Sequence, residues 1–206
     1  MPAWIYANSI KRLKWLLVVA GLVPLFRLVY LGIDDQLTAN PIEFITRSTG
    51  TWALVFLCLT LSITPLRKIS GITTLINYRR ILGLLCFFYA SFHFSIWFWL
   101  DHNLSLSDMI QDVFKRPFIT MGFISFLLLV PLALTSNQFS IRLLKRNWSK
   151  LHQLIYIIAI TAITHYWWHK SGKNDFGTVG IYAIVIICLL TFRLYSRFSR
   201  KQKAPH

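Results

Sequence analysis

The stretch ILGLLCFFYASFHFSIWFWL, residues 81–100, decides the fold of this chain. It carries no formal charge, and it is flanked by Arg79 and Arg80 on one side and by Asp101 on the other. At a rise of about 1.5 Å per residue, an α-helix of about 20 residues spans the roughly 30 Å hydrocarbon core of a bilayer. The stretch therefore predicts a transmembrane helix with a basic end and an acidic end.

Similar apolar stretches recur along the whole chain. The 206 residues are 55% hydrophobic and 16% aromatic, more than one small soluble core could bury. The predicted spans are residues 15–33, 50–66, 80–100, 118–135, 149–169 and 178–195. We therefore predict an all-α integral membrane bundle of about six transmembrane helices that forms a single domain over residues 1–206. The connecting loops are too short for a soluble catalytic domain or a nucleotide-binding fold.

The charges are distributed unevenly between the two sides of the predicted membrane. The chain has 22 basic and 7 acidic residues, a net charge of +15. The basic residues cluster at alternating helix ends, which excludes one continuous nucleic-acid surface and favours the positive-inside rule. Both termini are then cytoplasmic, with a basic tail at about residues 196–206. All the acidic residues fall on the opposite side: Asp34, Asp35, Glu43, Asp101, Asp108, Asp112 and Asp175.

Three histidines fall within predicted spans. An imidazole in hydrocarbon costs free energy unless it is hydrogen-bonded, paired or bound to a metal, and haem iron with histidine ligands meets that need. His93 lies about 20 Å along its helix from the cytoplasmic end and His165 about 25 Å, so the two can bind one haem between them. His152 lies only about 6 Å in, at a level where the third span carries Arg79 and Arg80.

Other roles for these histidines are open at this stage. Each could hydrogen-bond a neighbouring helix, and His152 could stack against a flavin or bind a quinone head group. His165 and His169 share a helix face that could hold zinc, although no third ligand lies near in sequence. His152 and His165 would point about 140° apart on an ideal helix, so only a local irregularity would bring them to one side.

Two further features have two interpretations each. Arg79 and Arg80 either anchor the third span at the inner surface or bind the carboxylates of haem or the phosphate of a flavin. The loop that holds Asp101, Asp108 and Asp112 is either a docking surface for a partner protein or a solvated connector.

Several short motifs are familiar in combination. They are STG at 48–50, LSITPL at 61–66, RRILGL at 79–84, FHF at 92–94, KRPFIT at 115–120, LH at 151–152 and ITHYW at 163–167. In this order, over nearly the whole chain, they resemble the MsrQ (YedZ) family of haem-binding membrane subunits, part of the ferric-reductase-like transmembrane group. One difference from eukaryotic members of that group is that the third span has one histidine instead of two, which leaves the haem count at one or two.

The resemblance implies a function and its partners. It implies that His93, His152 and His165 are haem ligands, with haem b and FMN as cofactors. It further implies a multi-pass protein of the inner membrane of Gram-negative bacteria. Its electrons would come from the quinone pool or a cytosolic flavin reductase. They would go to a periplasmic molybdopterin-containing reductase that repairs methionine sulfoxide in proteins, so this chain would have no sulfoxide-reducing site of its own.

Two alternative functions remain at the level of sequence. The first is a ferric reductase or superoxide-producing oxidase that keeps the haem but has another electron acceptor. The second is a transporter without haem in which the intramembrane histidines relay protons or bind a cation. The absence of an attached flavin and nicotinamide domain disfavours the first.

Overall fold

A computed structural model of the protein describes residues 3–172 and 174–202. Residues 203–206 of the predicted basic tail lie outside the described residues. The helices are α1 (Ala3–Ile33), α2 (Pro41–Ser70), α3 (Arg79–Ile96), α4 (Leu106–Lys115), α5 (Pro117–Leu134), α6 (Gln138–Leu144), α7 (Arg146–Leu151), α8 (Ile155–Ser171) and α9 (Gly177–Gln202). Short 3-10 turns span Thr73–Tyr78 and His152–Leu154, and a π-helical turn spans Trp97–Asp101.

The prediction of an all-α membrane bundle is confirmed, since the described residues contain no strand. Within the described part of the chain, five helical segments are long and apolar enough to cross a bilayer: Ile10–Ile33, Pro41–Ser70, Thr73–Asp101, Pro117–Leu134 and Gly177–Ser199. The predicted span at 149–169 differs, because the 3-10 turn at His152–Leu154 interrupts it and α8 has only 17 residues. The helix nevertheless packs in the interior of the bundle, against α5 and α9.

The ends of α2 follow local sequence signals. The Asn40 side chain accepts a hydrogen bond from the Glu43 backbone N–H, and Pro41 occupies the first turn, where its missing N–H costs nothing. At the other end Gly71 adopts a left-handed conformation with φ of 72°, which glycine tolerates without strain. These signals extend α2 about one turn or more beyond each end of the predicted apolar span.

Four helices form the centre of the bundle. α2 packs most extensively against α3, and α5 against α8, while α3 also contacts α5. Their interface is a continuous apolar core in which Leu61, Tyr89 and Ala159 are fully buried. α1 and α9 lie at the periphery and expose large apolar side chains, as lipid-facing helices do, for example Phe26 and Ile184.

The proline in α1 is accommodated by a neighbouring helix. Pro24 disturbs the hydrogen bonding of the preceding turn, and the buried Tyr89 hydroxyl of α3 donates to the Gly21 carbonyl oxygen at 2.7 Å. A Cβ atom at Gly21 would lie 2.6 Å from a methyl group of Leu85, so α1 approaches α3 closely at this level.

Candidate functional site

Two cavities lie at successive levels inside the four-helix centre. We call them the paired-histidine cavity, about 660 Å³ and lined by His93 and His165, and the basic cavity, about 960 Å³ and lined by His152. Both volumes fall within the roughly 300–1,000 Å³ that is usual for cofactor and small-molecule sites. Leu57, Cys86 and Leu129 line both cavities, so one layer of side chains separates them.

The structure brings His93 of α3 and His165 of α8 together. Their ring centroids are 6.2 Å apart and their planes are inclined at 74°. Two imidazoles on opposite faces of one metal ion have centroids about 6 Å apart, because the metal–nitrogen bond is about 2.0–2.1 Å and each nitrogen lies about 1.1 Å from its ring centre. The separation of the two rings therefore fits two axial ligands of one haem iron.

Each of these two rings is oriented by a backbone carbonyl of the neighbouring helix. His93 Nδ1 lies 2.8 Å from the Thr46 carbonyl oxygen of α2, and His165 Nδ1 lies 2.6 Å from the Phe118 carbonyl oxygen of α5. A carbonyl oxygen only accepts, so Nδ1 carries the proton in both rings and Nε2 is the nitrogen suited to a metal. This arrangement is typical of metal-binding histidines.

Each ring also packs against a glycine. A Cβ atom at Gly50 would lie 3.0 Å from His93 Nδ1, and one at Gly122 would lie 2.8 Å from His165 Nδ1. A larger residue at Gly122 would displace the ring or the helix, because real Cβ contacts are almost never that short. At Gly50 the contact is tighter than most real Cβ contacts, so the ring would have to shift by a few tenths of an ångström. The two glycines thus form the cradles that allow the imidazoles to stand between the helices.

The two halves of this site have the same spacing in sequence. Thr46 precedes His93 by 47 residues, and Phe118 precedes His165 by 47 residues. Gly50 and Gly122 each lie four residues after the carbonyl that accepts the histidine proton. The α2–α3 pair and the α5–α8 pair therefore position their histidines in the same way, with one backbone carbonyl and one glycine each.

The basic cavity has a different chemistry. Its lining contains six Lys and Arg side chains and no Asp or Glu among the described residues; the six are Arg67, Lys68, Arg79, Arg80, Arg193 and Arg197. Arg193 is held in place by the Tyr156 hydroxyl at 3.2 Å and the Leu61 carbonyl oxygen at 2.8 Å. A cavity of this size and charge is suited to an anionic ligand such as a phosphate or a carboxylate.

His152 belongs to the basic cavity and has other partners than the paired histidines. Its Nε2 lies 3.2 Å from the Thr135 hydroxyl, and its ring stacks on Trp148 at a centroid distance of 4.0 Å. It lies in the 3-10 turn that precedes α8. The chain between His152 and His165 is therefore not one regular α-helix. Both residues therefore line interior cavities, at different levels of the bundle.

Zinc binding by His165 and His169 finds no support in the geometry. Within the described residues no group of three or more His, Cys, Asp and Glu side chains could hold a metal ion. His169 instead packs against the Phe118 ring at a centroid distance of 5.6 Å.

The acidic loop is organised around Asp112 of α4. Asp112 pairs with Arg116 and lies 3.0 Å from His102 Nε2. Burial by itself raises the pKa of the Asp112 carboxyl, but the hydrogen bonds from Arg116 and His102 outweigh it and hold the pKa below its ordinary value. On the other face of α4, the apolar side chains of Ile110 and Phe114 are exposed.

Sequence reasoning missed several of these residues. Gly50 and Gly122 are recognisable only through their equal spacing to a histidine, 43 residues in each half. Arg193 looked like an ordinary basic residue at the end of the last span, although the structure buries part of its guanidinium group inside the bundle.

Comparison with known proteins shows the family of the chain. The family model described as "Ferric reductase like transmembrane component" matches residues 49–163, a range that includes His93 and His152. A protein of Bordetella pertussis is 48% identical over 205 residues, covering 99% of this chain and 100% of its own length. A protein of Ralstonia nicotianae is 48% identical over 196 residues, covering 95% and 90% of the two chains.

The chain belongs to the MsrQ family. Both relatives carry the name "Protein-methionine-sulfoxide reductase heme-binding subunit MsrQ", as does a protein of Brucella ovis that is 48% identical over 92% of this chain and 84% of its own length. No solved structure matches the chain.

Proposed function

We propose that this protein is the haem-binding electron-transfer subunit of a bacterial protein-methionine-sulfoxide reductase system. The observation that carries the proposal is the His93–His165 pair, with ring centroids 6.2 Å apart and both Nδ1 atoms directed at backbone carbonyls. The name of the relatives, which cover nearly the whole chain, supports it independently. His93 and His165 are the proposed ligands of one haem b.

When bound, haem b supplies a one-electron redox centre within the membrane. The residues of the chain determine what that centre can do. His93 and His165 would hold the iron through two imidazoles, a ligand set that favours electron transfer over oxygen binding. The carbonyls of Thr46 and Phe118 keep the imidazoles in one tautomer, and the apolar side chains of Phe94 and Phe126, which line the same cavity, exclude water.

The basic cavity is the proposed site of a second cofactor. His152, Arg79 and Arg80 would hold FMN through its phosphate, or a second haem through its carboxylates and one imidazole. The lack of acidic side chains in the described lining supports an anionic ligand in either case. Arg193, which lines the same cavity, adds a further positive charge.

The proposed direction of electron flow is from the basic end of the bundle to the acidic end. The positive-inside rule supports cytoplasmic termini and a location in the bacterial inner membrane. Electrons would enter from the quinone pool or a cytosolic flavin reductase and leave to a periplasmic molybdenum-dependent methionine sulfoxide reductase. The conversion of the sulfoxide would take place in that partner, which the loop holding Asp101, Asp108 and Asp112 would contact.

The test is haem quantitation on protein purified from cells well supplied with haem. We expect the wild type to show a reduced-minus-oxidised b-type spectrum and at least one haem per chain. His93→Ala and His165→Ala should each lower haem content at least fivefold, because an axial ligand is lost. His102→Gln is the matched control, since His102 hydrogen-bonds Asp112 and does not line either cavity.

Two results would contradict this proposal. One is a wild-type protein without a Soret band, which would favour the transporter function. The other is a haem content that remains normal after both His93 and His165 are replaced. Reduction of the haem by a quinol or by a flavin reductase, each added separately, then distinguishes the two proposed donors.

A further inference from the structure

Buried polar atoms without a hydrogen-bond partner are rare in this protein and coincide with its cavities. Among the described residues, three side-chain atoms are in this state: Thr46 Oγ1, Trp97 Nε1 and Arg193 Nε. Thr46 and Trp97 line the paired-histidine cavity, and Arg193 lines the basic cavity. A buried polar group without a partner costs about 1–3 kcal/mol, so these atoms indicate where a ligand supplies the missing partner.

Trp97 is held in a defined position. It follows His93 by four residues, on the same face of α3, and opens the π-helical turn Trp97–Asp101. Its ring packs against Phe94 at a centroid distance of 5.8 Å and edge-on against His102 at 4.8 Å. The indole N–H is a donor only, so the ligand atom that meets it must be an acceptor.

Thr46 differs from three other threonines of α2. The hydroxyl groups of Thr49, Thr51 and Thr60 each donate to the carbonyl four residues earlier, at 2.7–2.9 Å. The Thr46 hydroxyl makes no such bond within the described part of the chain. The carbonyl of Thr46 accepts the His93 proton, so one residue presents both an oriented imidazole and a buried hydroxyl to the same cavity.

Two arginines that line this cavity each pair with a carboxylate of the chain. Arg47 is ion-paired with Glu43 at 3.5 Å, and Arg116 is paired with Asp112. Trp97 Nε1–H and the Thr46 hydroxyl add two buried neutral donors to this lining that have no partner among the described residues. Neutral donors in a buried site bind a carboxylate well, because a hydrogen bond to a charged group is stronger than one between neutral groups.

We propose that Trp97 Nε1–H and the Thr46 hydroxyl bind the carboxylate oxygens of the haem whose iron His93 and His165 would ligate. The inference rests on the proposed function, because it assigns residues to the same haem. It separates two tasks within the cavity. His93 and His165 hold the iron, and Trp97 and Thr46 determine which edge of the porphyrin faces α2 and α3.

The experiment compares haem b with its dimethyl ester, whose side chains are esters and carry no charge. Apoprotein of the wild type, Trp97→Phe, Thr46→Val and Trp99→Phe is reconstituted with each porphyrin, and the rate of transfer to apomyoglobin is measured. Trp97→Phe retains the packing of the ring and removes only the N–H. Trp99 is the matched control, because it belongs to the same turn, is 63% exposed and does not line the cavity.

We expect Trp97→Phe to release haem b about tenfold faster than the wild type, as for the loss of a hydrogen bond to a charged group. With the dimethyl ester, Trp97→Phe and the wild type should differ by less than twofold. Thr46→Val should show the same pattern with a smaller change, and it provides a second test should Trp97→Phe fail to fold. Trp99→Phe should match the wild type with both porphyrins.

The inference is overturned if Trp97→Phe and Thr46→Val release haem b as slowly as the control, or if their effect is as large with the ester. In either case a wild type that retains haem leaves the proposed function standing. A wild type that takes up neither porphyrin overturns the proposed function itself, and the assignment of Trp97 and Thr46 with it.

Discussion

The paired-histidine cavity and the basic cavity share a wall but differ in chemistry. In the first, two imidazoles face each other and direct Nδ1 at backbone carbonyls. In the second, one imidazole bonds a hydroxyl through Nε2 and stacks on a tryptophan, beside six basic side chains. The presence of a histidine in an apolar span therefore does not by itself specify its role. The role depends on which ring nitrogen is hydrogen-bonded and which one stays free for a ligand.

The difference between the two cavities also indicates different ligands: the paired-histidine cavity is suited to a metal and the basic cavity to an anion. Backbone carbonyls and glycine cradles position an imidazole without adding a charge, which suits a ligand of haem iron in a low-dielectric site. Clustered guanidinium groups are unfavourable there unless an anion compensates them. Replacement of single residues can show whether the two cavities are independent.

The largest expected effect separates the two cavities directly. His152→Ala removes the only imidazole of the basic cavity among its described lining residues. We expect the cofactor of that cavity, flavin or second haem, to fall about tenfold or more, as for loss of a direct contact. The spectrum of the haem at His93 and His165 should be unchanged. Flavin and haem content per chain are the measurements, with His165→Ala compared in parallel.

Loss of the same haem band in His152→Ala and His165→Ala would contradict independence. The two variants would then act on one cofactor, and the basic cavity would have no separate role.

A moderate effect is expected when the histidine cradles are filled. Gly122→Ala places a methyl group 2.8 Å from His165 Nδ1, and Gly50→Ala places one 3.0 Å from His93 Nδ1. Overpacking of this kind costs about 1–3 kcal/mol, and the rings must move to relieve it. We expect haem content to fall several-fold or the haem midpoint potential to shift. Haem quantitation and redox titration measure this.

Two glycines serve as matched controls for the cradle variants. A methyl group at Gly180 meets nothing within 4 Å, and one at Gly83, which lines the basic cavity, lies 3.8 Å from Thr60 Cγ2. Both alanine variants should bind the haem at His93 and His165 normally. If Gly180→Ala lowers haem content as much as Gly122→Ala, the close approach of glycine to histidine is not the cause.

The smallest effect is expected at the acidic end. Asp112→Asn removes the charge that pairs with Arg116 and His102. The pKa of Asp112 is lowered by folding, so its contribution to stability is present above the pKa of the unfolded chain and is lost as the pH falls through the lower folded pKa. The Asp112 side chain is largely buried while Arg116 is about half exposed, so we expect the pair to contribute about 1 kcal/mol, a change in Tm of about 2–4 °C.

Thermal unfolding at neutral and at strongly acidic pH measures this contribution. We expect the difference in Tm between Asp112→Asn and the wild type to be present at neutral pH and to vanish at the acid end. A Tm difference that grows as the pH falls would contradict stabilisation by the ionised Asp112 carboxylate.

Much of the fold is predictable from local sequence. Apolar length places the spans, and Asn40, Pro41 and Gly71 mark the ends of α2 through capping and backbone conformation. The prediction for 149–169 was less accurate because the 3-10 turn at His152 depends on contacts with Thr135 and Trp148. The contact with Thr135 comes from the end of α5, 17 residues earlier, and has no local signal.

The candidate site was predictable only in part. Helical rise alone indicates that His93 and His165 reach similar depths. It does not indicate which carbonyl orients each ring or that glycines make room for them. Nor does it indicate that Trp97 and Thr46, which line the same cavity, carry buried polar atoms without a partner among the described residues. These are contacts between residues up to 47 positions apart, and they depend on how the helices pack against each other.

The sequence by itself determined a helical membrane protein, the level of each histidine and the separation of basic from acidic ends, because hydropathy, helical rise and charge are properties of single segments. Only the tertiary structure decided that a carbonyl of α2 orients the histidine of α3, as a carbonyl of α5 orients the histidine of α8. It also decided that the arginines of three separate helices meet in one cavity. Helix–helix contacts depend on the shapes of both surfaces at once, so no single segment specifies them.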